Sequence, residues 1–249
     1  MKPSIHSSSE AANQAAGDLL WNWLTDPQTR NVMVAAGNTP LELYRLVGER
    51  VKKGSAGASP HLFAHLSIFM LDEYVGVPLE EPRNCANLLR RSVVEEWGIS
   101  LDRYFTVSSV ERDALESVRA HERRIQEAGG LDVIILGLGQ NGHLGFNEPG
   151  SAEDSGARLL DLQPISIEAN RKWFRGDYAP AKGATIGLKT ILAARRVIVL
   201  AYGAHKTKAV AAMVEGKRGP DCPASFLQGH GDAHLFLDEA AAAGFRRKS

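Results

Sequence analysis

The chain has 249 residues, of which 44% are apolar and 23% are charged, as in an ordinary globular protein with a substantial core. Its 29 basic residues equal its 29 acidic residues, which excludes a bulk positive field for nucleic acid or an anionic membrane. Two cysteines, Cys85 and Cys222, are too few for a disulfide framework and favour a reducing compartment. Without a membrane-length apolar run or a secretion signal, we expect a cytoplasmic protein of small-molecule metabolism.

Apolar runs typical of strands alternate with amphipathic stretches typical of helices. In chain order, the first half predicts a helix in EAANQAAGDLLWNWL, a strand in NVMVAAG, a helix in TPLELYRLVGERVKK, a strand in LSIFML, a helix in NCANLLRRSVVEEW, a strand in YFTV and a helix in RDALESVRAHERRIQEAGG. The second half predicts a strand in LDVIILGLG, helices in ANRKWF and ATIGLKTIL, a strand in RVIVLAYG, a helix in AHKTKAVAAMVEG and a strand in AHLFLD.

Strands that are apolar throughout and separated by helices favour a parallel sheet that is covered on both faces. We therefore predict a single α/β domain over residues 1–249, with a doubly wound, mostly parallel sheet and a Rossmann-like topology. In such sheets ligands bind beyond the carboxyl ends of the strands, so the functional residues are sought there.

The first such strand end carries a candidate anion site. Gly37, Asn38 and Thr39 follow the strand NVMVAAG, and Pro40 suits the first turn of a helix. Backbone N–H groups and the helix dipole at this point favour an anion, and the Thr39 hydroxyl can add a hydrogen bond. A phosphate cradle fits, although an ordinary threonine N-cap gives the same pattern.

The second strand end carries two acids. Asp72 and Glu73 follow LSIFML and precede a turn that contains glycine and proline. A half-shielded carboxylate at this place can have a shifted pKa and act as a general base. The competing interpretation is that one acid caps the next element while the other faces solvent.

The third strand end, GLGQNGHLGFNEPG, spells the glycine fingerprint of a dinucleotide loop. Such a loop leads directly into a helix, whereas Gly145, Pro149 and Gly150 break any helix here, so we reject a nucleotide cofactor. What remains is a loop that presents His143, Asn141 and Glu148. An imidazole oriented by a carboxylate is a common proton-transfer device, and a purely structural His–Glu hydrogen bond is the alternative.

Metal binding has little support in the sequence. His61 and His65 have helical spacing but lack the glutamate of the zinc-protease motif, and the later histidines stand without a cysteine or carboxylate cluster. We assign no metal and no cofactor.

Several of these stretches together resemble the glucosamine-6-phosphate deaminase/isomerase family. The matching stretches are GNTP, LDEYVGVP, LGLGQNGHLGFNEPG and ATIGLKTIL, and the resemblance covers nearly the whole chain. The segments GGLDVIILGLGQNGHLGFNEPG, IGLKTIL and PASF look closest to the galactosamine-6-phosphate branch. A sister family, the 6-phosphogluconolactonases, shares the fold but has Asp-Glu-Arg where this chain has Asp-Glu-Tyr, and it lacks the Asn-Glu-Pro ending.

The resemblance implies a substrate, a 2-amino-2-deoxyhexose 6-phosphate, and a mechanism. His143 opens the pyranose ring by moving a proton to the ring oxygen, and Glu148 orients that imidazole. Asp72 then moves a proton from C2 to C1, which gives a ketose phosphate and ammonia without metal, nucleotide or flavin. The phosphate site that the resemblance implies consists of Gly37, Asn38, Thr39, Lys206 and a cation in ANRKWF, where Lys172 stands at the family's arginine position and Arg171 precedes it.

The chain departs from the family pattern at three places. Asn141 replaces an aspartate found in many members, so Glu148 becomes the main carboxylate partner of the imidazole. Asn38 replaces the usual second glycine of the phosphate loop. After Arg158 the second basic residue of the family's allosteric site is missing, so we expect no activation by an N-acetyl sugar phosphate.

Two other functions remain as alternatives, a 6-phosphogluconolactonase-type hydrolase and a non-catalytic sugar-phosphate sensor. A sensor of the regulator type needs a DNA-binding segment, for which the short N-terminal lead leaves no room. The expected partner is a small amino-sugar phosphate, with no nucleic acid and no membrane. The expected assembly is a monomer or a small homo-oligomer.

Overall fold

The computed structural model describes residues 1–55 and 62–244, and a seven-stranded sheet forms its centre. Every neighbouring pair of strands in this sheet is parallel, as the apolar strands predicted. The strands are Lys2–His6 (β1), Asn31–Val34 (β2), Ser67–Met70 (β3), Asp72–Tyr74 (β4), Tyr104–Phe105 (β5), Val133–Gly137 (β6), Arg158–Asp161 (β7), Lys182–Thr185 (β8), Arg196–Ala201 (β9) and Ala233–Asp238 (β10).

The order of the strands places a crevice at the middle of the central sheet. That order is β1-β10-β9-β6-β2-β3-β5, so the chain moves from β2 outward to β3 and β5, and then returns to β6 on the other side of β2. The strands β2 and β6 are neighbours in the sheet, and the loops that follow them lead in opposite directions. Such a switch point is where doubly wound sheets bind ligands.

The helices surround the sheet and bury its apolar faces. They are Ser9–Leu24 (α1), Asn38–Ser55 (α2), Cys85–Leu89 (α3), Glu111–Glu127 (α4), Pro164–Trp173 (α5), Leu188–Leu192 (α6), Thr207–Val214 (α7) and Glu239–Ala242 (α8). A π-helical segment, Arg90–Glu95, extends α3, and short 3₁₀ turns cover 101–103, 204–206 and 223–229. Polar side chains cap three of the helix starts: the Ser8 hydroxyl accepts from the Ala11 N–H, Asn84 accepts from the Asn87 N–H, and Asp238 accepts from the Ala241 N–H.

A second, antiparallel sheet of three strands, in the order β4-β8-β7, was not predicted. The prediction of a helix throughout ATIGLKTIL is wrong at its beginning, because Ala184 and Thr185 belong to β8 and only Leu188–Leu192 is helical. Thr185 pairs with Asp72, and this long-range pairing overrides the local helical pattern. The small sheet thereby fixes the backbone of Asp72.

The middle strands of the central sheet are apolar and buried along most of their length. Val32, Met33 and Val34 of β2 have no exposed surface, and neither have Val133 and Ile134 of β6. Among the described residues, no helix is long and apolar enough to cross a membrane.

Candidate active site

Asp72 lies at the carboxyl end of β3, where it begins β4, and only 7% of its surface is exposed. Burial, together with the neighbouring charge of Glu73, raises the pKa of Asp72 to about 8. Its Oδ2 atom is 3.2 Å from the position that a Cβ atom would take on Gly145, so the loop after β6 passes directly over this carboxylate. Asp72 and His143 line the same cavity.

Glu73 points away from that cavity and has a structural environment. Its carboxylate accepts hydrogen bonds from the backbone N–H groups of Tyr74, Cys85 and Ala86, which ties β4 to the start of α3. Burial raises its pKa to about 7 in spite of these three donors. Of the two acids that the sequence singled out, one therefore caps the next helix and the other faces the cavity.

The loop after β6 holds His143, Asn141 and Glu148 together. The Nδ1 atom of His143 lies 3.4 Å from Oε2 of Glu148, at ion-pair distance, and no described residue makes a hydrogen bond to it. The Asn141 amide donates to the same Oε2 atom at 2.5 Å, and its Oδ1 accepts from the His143 backbone N–H at 3.3 Å. Burial alone raises the pKa of Glu148, but the neighbouring imidazole and amide outweigh it, so the pKa is lowered and the carboxylate is ionised at neutral pH.

The sequence did not reveal Gln163, which supports this loop from the start of α5. Its side-chain oxygen accepts a hydrogen bond from the Asn141 amide at 3.0 Å, and its backbone N–H donates to Oε1 of Glu148 at 3.4 Å. Gln163 stands 22 residues from Asn141, and only the Pro164 helix start beside it marks this place in the sequence.

The start of α2 borders the same cavity. Gly37 has φ +107°, a conformation that favours glycine, and the helix begins at Asn38. Gly37, Asn38 and Thr39 all line a space that also includes His143 and Lys206. The free N–H groups of the first helical turn are available to an anion there.

Lys206 reaches the cavity from the opposite side of the switch point. It ends the 3₁₀ turn after β9, and its Nζ donates to the backbone carbonyl of Leu138 at 2.6 Å. Burial lowers the pKa of this ammonium group to about 8. An anion bound beside it favours the charged form and reverses that effect.

The two cations of α5 take different positions. Lys172 lies in the last turn of α5 and lines a cleft that also includes Asn38, while its Nζ is 3.5 Å from Glu168. Arg171 is 3.8 Å from the same glutamate and lines none of the described cavities around α2. The structure therefore brings Lys172, and not Arg171, to the edge of the candidate phosphate site.

Aromatic and amide side chains of the small sheet and α5 complete the walls. The Tyr74 hydroxyl donates to the Asn170 side chain at 3.1 Å, and the Tyr74 ring packs on Phe146 with centroids 4.9 Å apart. All of these residues stand inside stretches that the sequence marked, Asn170 and Trp173 in ANRKWF, but none was predicted to line the site. The lining residues that sequence reasoning missed include Tyr74, Gln140, Phe146, Asn170, Trp173 and His205.

The described residues offer no group of three or more histidines, cysteines or acids arranged for a metal ion, while His61 lies outside them. After β6 the chain enters turns instead of a helix, so it lacks the helix start that a dinucleotide loop places against the pyrophosphate. What the site offers is acid–base chemistry beside an anion-binding helix start.

Comparison with known proteins identifies the relatives of this chain. The family model for glucosamine-6-phosphate isomerases and 6-phosphogluconolactonases matches residues 6–235. The glucosamine-6-phosphate deaminases of Streptomyces avermitilis and Cutibacterium acnes are 40% and 37% identical over 84% and 98% of this chain, which corresponds to 79% and 92% of those proteins. A solved monomeric glucosamine-6-phosphate deaminase superposes with a TM-score of 0.90 at 28% identity, over 98% of this chain and all of that one. The 6-phosphogluconolactonase of Trypanosoma brucei shares the fold, with a TM-score of 0.78 at 20% identity over 98% of both chains.

Proposed function

This chain belongs to the family of glucosamine-6-phosphate isomerases and 6-phosphogluconolactonases, and from that premise we propose that it is an isomerising deaminase of glucosamine 6-phosphate. The reaction takes up one water and gives a ketohexose 6-phosphate and ammonia. One observation carries the proposal: Asp72 and His143 line a single cavity, with Thr39 and Lys206 at its border.

His143 opens the sugar ring in this proposal. Ring opening requires a proton to leave the C1 hydroxyl and another to reach the ring oxygen, and an imidazole can carry out both transfers. Glu148 holds Nδ1 at 3.4 Å, which leaves Nε2 to face the substrate. Asn141 fixes the loop by hydrogen bonds alone, since an amide brings no charge to stabilise an imidazolium.

Asp72 then moves the proton from C2 to C1. Its raised pKa of about 8 makes the ionised form a stronger base than an ordinary carboxylate. The ammonium group of the substrate, on C2 itself, is a cation that favours this ionised form. Proton removal from C2 gives a 2-amino-1,2-enol, and protonation at C1 converts it to an imine at C2. Addition of one water to this imine releases ammonia and leaves the ketone at C2.

The phosphate binds at the start of α2. Backbone N–H groups of the first turn, the Thr39 hydroxyl and the Lys206 ammonium surround the same space. We propose Lys172 as a further cation at this edge, since its side chain lines the adjoining cleft with Asn38. Arg171 has no such position and is not part of the proposal.

For the substrate we choose the gluco epimer. Relatives that are 36–40% identical to this chain are named glucosamine-6-phosphate deaminases. The resemblance to the galactosamine branch stays a prediction, as does the assembly as a monomer or small homo-oligomer. Neither nucleic acid nor a membrane has a role in the proposed reaction.

The proposal is tested by three incubations of the pure protein, with glucosamine 6-phosphate, galactosamine 6-phosphate and 6-phosphogluconolactone. We expect ammonia and ketose phosphate from the first at the highest kcat/KM. Ammonia from neither amino sugar, with acid release from the lactone, would identify a lactonase and overturn the proposal. Absence of all three products would favour the sensor.

A further inference from the structure

A cleft lined by cationic side chains opens next to the candidate phosphate site. It shares Asn38, Gln140 and Trp173 with the space that His143, Thr39 and Lys206 line, so the two spaces are continuous. Its other lining residues include Arg83, Lys172 and Arg175. Three basic residues thus line a cleft that reaches the start of α2 at Asn38 and that does not include Lys206.

Arg175 has an unusual backbone for a residue with a side chain. Its φ is +54°, and among the described residues it is the only non-glycine with a positive φ. It occupies the left-handed position after α5, where its N–H donates to the Lys172 carbonyl and the N–H of Gly176 donates to the Arg171 carbonyl. Glycine is the usual residue at this position of such a helix ending, because a Cβ atom destabilises the conformation.

The charge of Arg175 is also the least neutralised of the three. Lys172 lies 3.5 Å from Glu168, and Arg83 lies 3.3 Å from Glu81. Arg175 has no ion-pair partner among the described residues, and its side chain is exposed at the cleft. Arg175 therefore combines a backbone conformation that a side chain destabilises with a positive charge that no described residue neutralises.

We propose that Arg175 binds the 6-phosphate of the substrate, as the bidentate partner of two phosphate oxygens. The inference rests on the proposed function, because it takes the phosphate to lie at the start of α2. Lys172 supplies a point charge and cannot make the paired N–H contacts of a guanidinium. With Lys206 on one side and Arg175 on the other, cations would flank the phosphate from both ends of the cavity.

The left-handed backbone gives this proposal a test that separates function from stability. Arg175→Gly removes the guanidinium and at the same time relieves the strained conformation. We expect the midpoint of thermal unfolding to rise by about 2–4 °C, while KM for glucosamine 6-phosphate rises about tenfold and kcat stays within about twofold. The inhibition constant of inorganic phosphate, used as a competitive probe, should rise by a similar factor.

Two further variants serve as controls. Arg171→Gly removes an equal charge four residues away, where the side chain contacts Glu168, and it should leave KM and phosphate inhibition unchanged. Arg175→Lys keeps the charge but not the paired N–H groups, and it should restore only part of the affinity.

An unchanged KM and phosphate inhibition constant in Arg175→Gly would overturn the inference. Equal losses in Arg171→Gly and Arg175→Gly would also overturn it, because they would show a general effect of charge. Failure of the wild-type protein to release ammonia would instead contradict the proposed function, so the two failures are distinguishable.

Discussion

The Nδ1 atom of His143 lies 3.4 Å from Oε2 of Glu148, and the Asn141 amide holds that same oxygen at 2.5 Å. Since Asn141 is uncharged, Glu148 is the one carboxylate within contact distance of the imidazole among the described residues. The ability of this site to stabilise an imidazolium therefore depends on a single side chain.

Replacing Glu148 by glutamine tests this dependence. The substitution keeps the shape but removes the charge that stabilises a protonated His143, so we expect kcat for ammonia release to fall by about 10²-fold. A matched control is Glu153→Gln, since Glu153 is an exposed residue paired with Arg218, and it should be neutral. Equal activity of the two variants would show that Glu148 only pins the loop.

The pH dependence of the reaction should follow Asp72. A base acts in its ionised form and the pKa of Asp72 is raised to about 8, so kcat/KM should increase from pH 6 to about 8. Above that pH the profile should turn down, because the pKa of Lys206 in the free protein is also about 8 and the loss of its charge weakens phosphate binding. Steady-state rates between pH 6 and 9 measure both limbs. A profile that is flat from pH 6 upward would contradict the assignment of Asp72 as the base.

The free energy of unfolding should also depend on the ionisation of Asp72, but it should decrease as the pH rises. The folded pKa of Asp72 lies above the unfolded value, so the unfolded chain loses its proton first and the fold loses stability between about pH 4 and 8. Asp72→Asn removes this loss, so it should be inactive and its stability relative to wild type should increase from pH 5 to pH 8. Urea unfolding at pH 5 and pH 8 gives the comparison, and a difference that does not grow with pH would refute it.

A substitution at Glu73 gives an independent test of the pH dependence of kcat/KM. Its charge is the second cause, after burial, of the raised pKa of Asp72. Glu73→Gln should therefore move the rising kcat/KM limb to lower pH without abolishing activity. It should also cost about 1–3 kcal/mol of stability, because an amide cannot accept all three backbone N–H groups that Glu73 binds.

The phosphate cradle can be tested at Gly37. An added methyl group there meets no atom within 4 Å, but the φ of +107° strains any other residue. Gly37→Ala should lower stability by about 1–2 kcal/mol and raise KM, because the turn that presents the N–H groups must shift. Gly54→Ala, in open space within α2, should instead be neutral or stabilising, and similar kinetics of the two variants would contradict the cradle.

We expect no allosteric activation by an N-acetyl sugar phosphate. Arg158 donates to the Ser151 hydroxyl at 2.8 Å, and the residue two positions on is Leu160, which supplies no second cation for an effector phosphate. We expect hyperbolic rates in glucosamine 6-phosphate, with no change on adding N-acetylglucosamine 6-phosphate. A sigmoidal curve that the N-acetyl sugar relieves would refute this.

The sequence predicted the parallel sheet because buried strands such as Val133–Gly137 are apolar without interruption. It missed β1, since Lys2–His6 is short and partly polar. It also missed β4, β7 and β8, which become strands only by pairing with one another over long sequence distances. Because ligands bind beyond the carboxyl ends of parallel strands, the strand ends indicated Asp72, His143 and the start of α2. Gln163 and Arg175 gave no local signal in the sequence. Their positions depend on how α5 packs over the cavity.

The central claim is that Asp72 and His143 act on one sugar, with Asp72 carrying the proton between C2 and C1. The most direct measurement follows deuterium by NMR while the protein turns over glucosamine 6-phosphate in D₂O. The account predicts deuterium at C1 of the ketose phosphate with the wild-type protein, to the extent that the proton on the Asp72 carboxyl exchanges with solvent before it reaches C1. It predicts neither label nor ammonia with Asp72→Asn. Ammonia and labelled ketose from Asp72→Asn at the wild-type rate would contradict it.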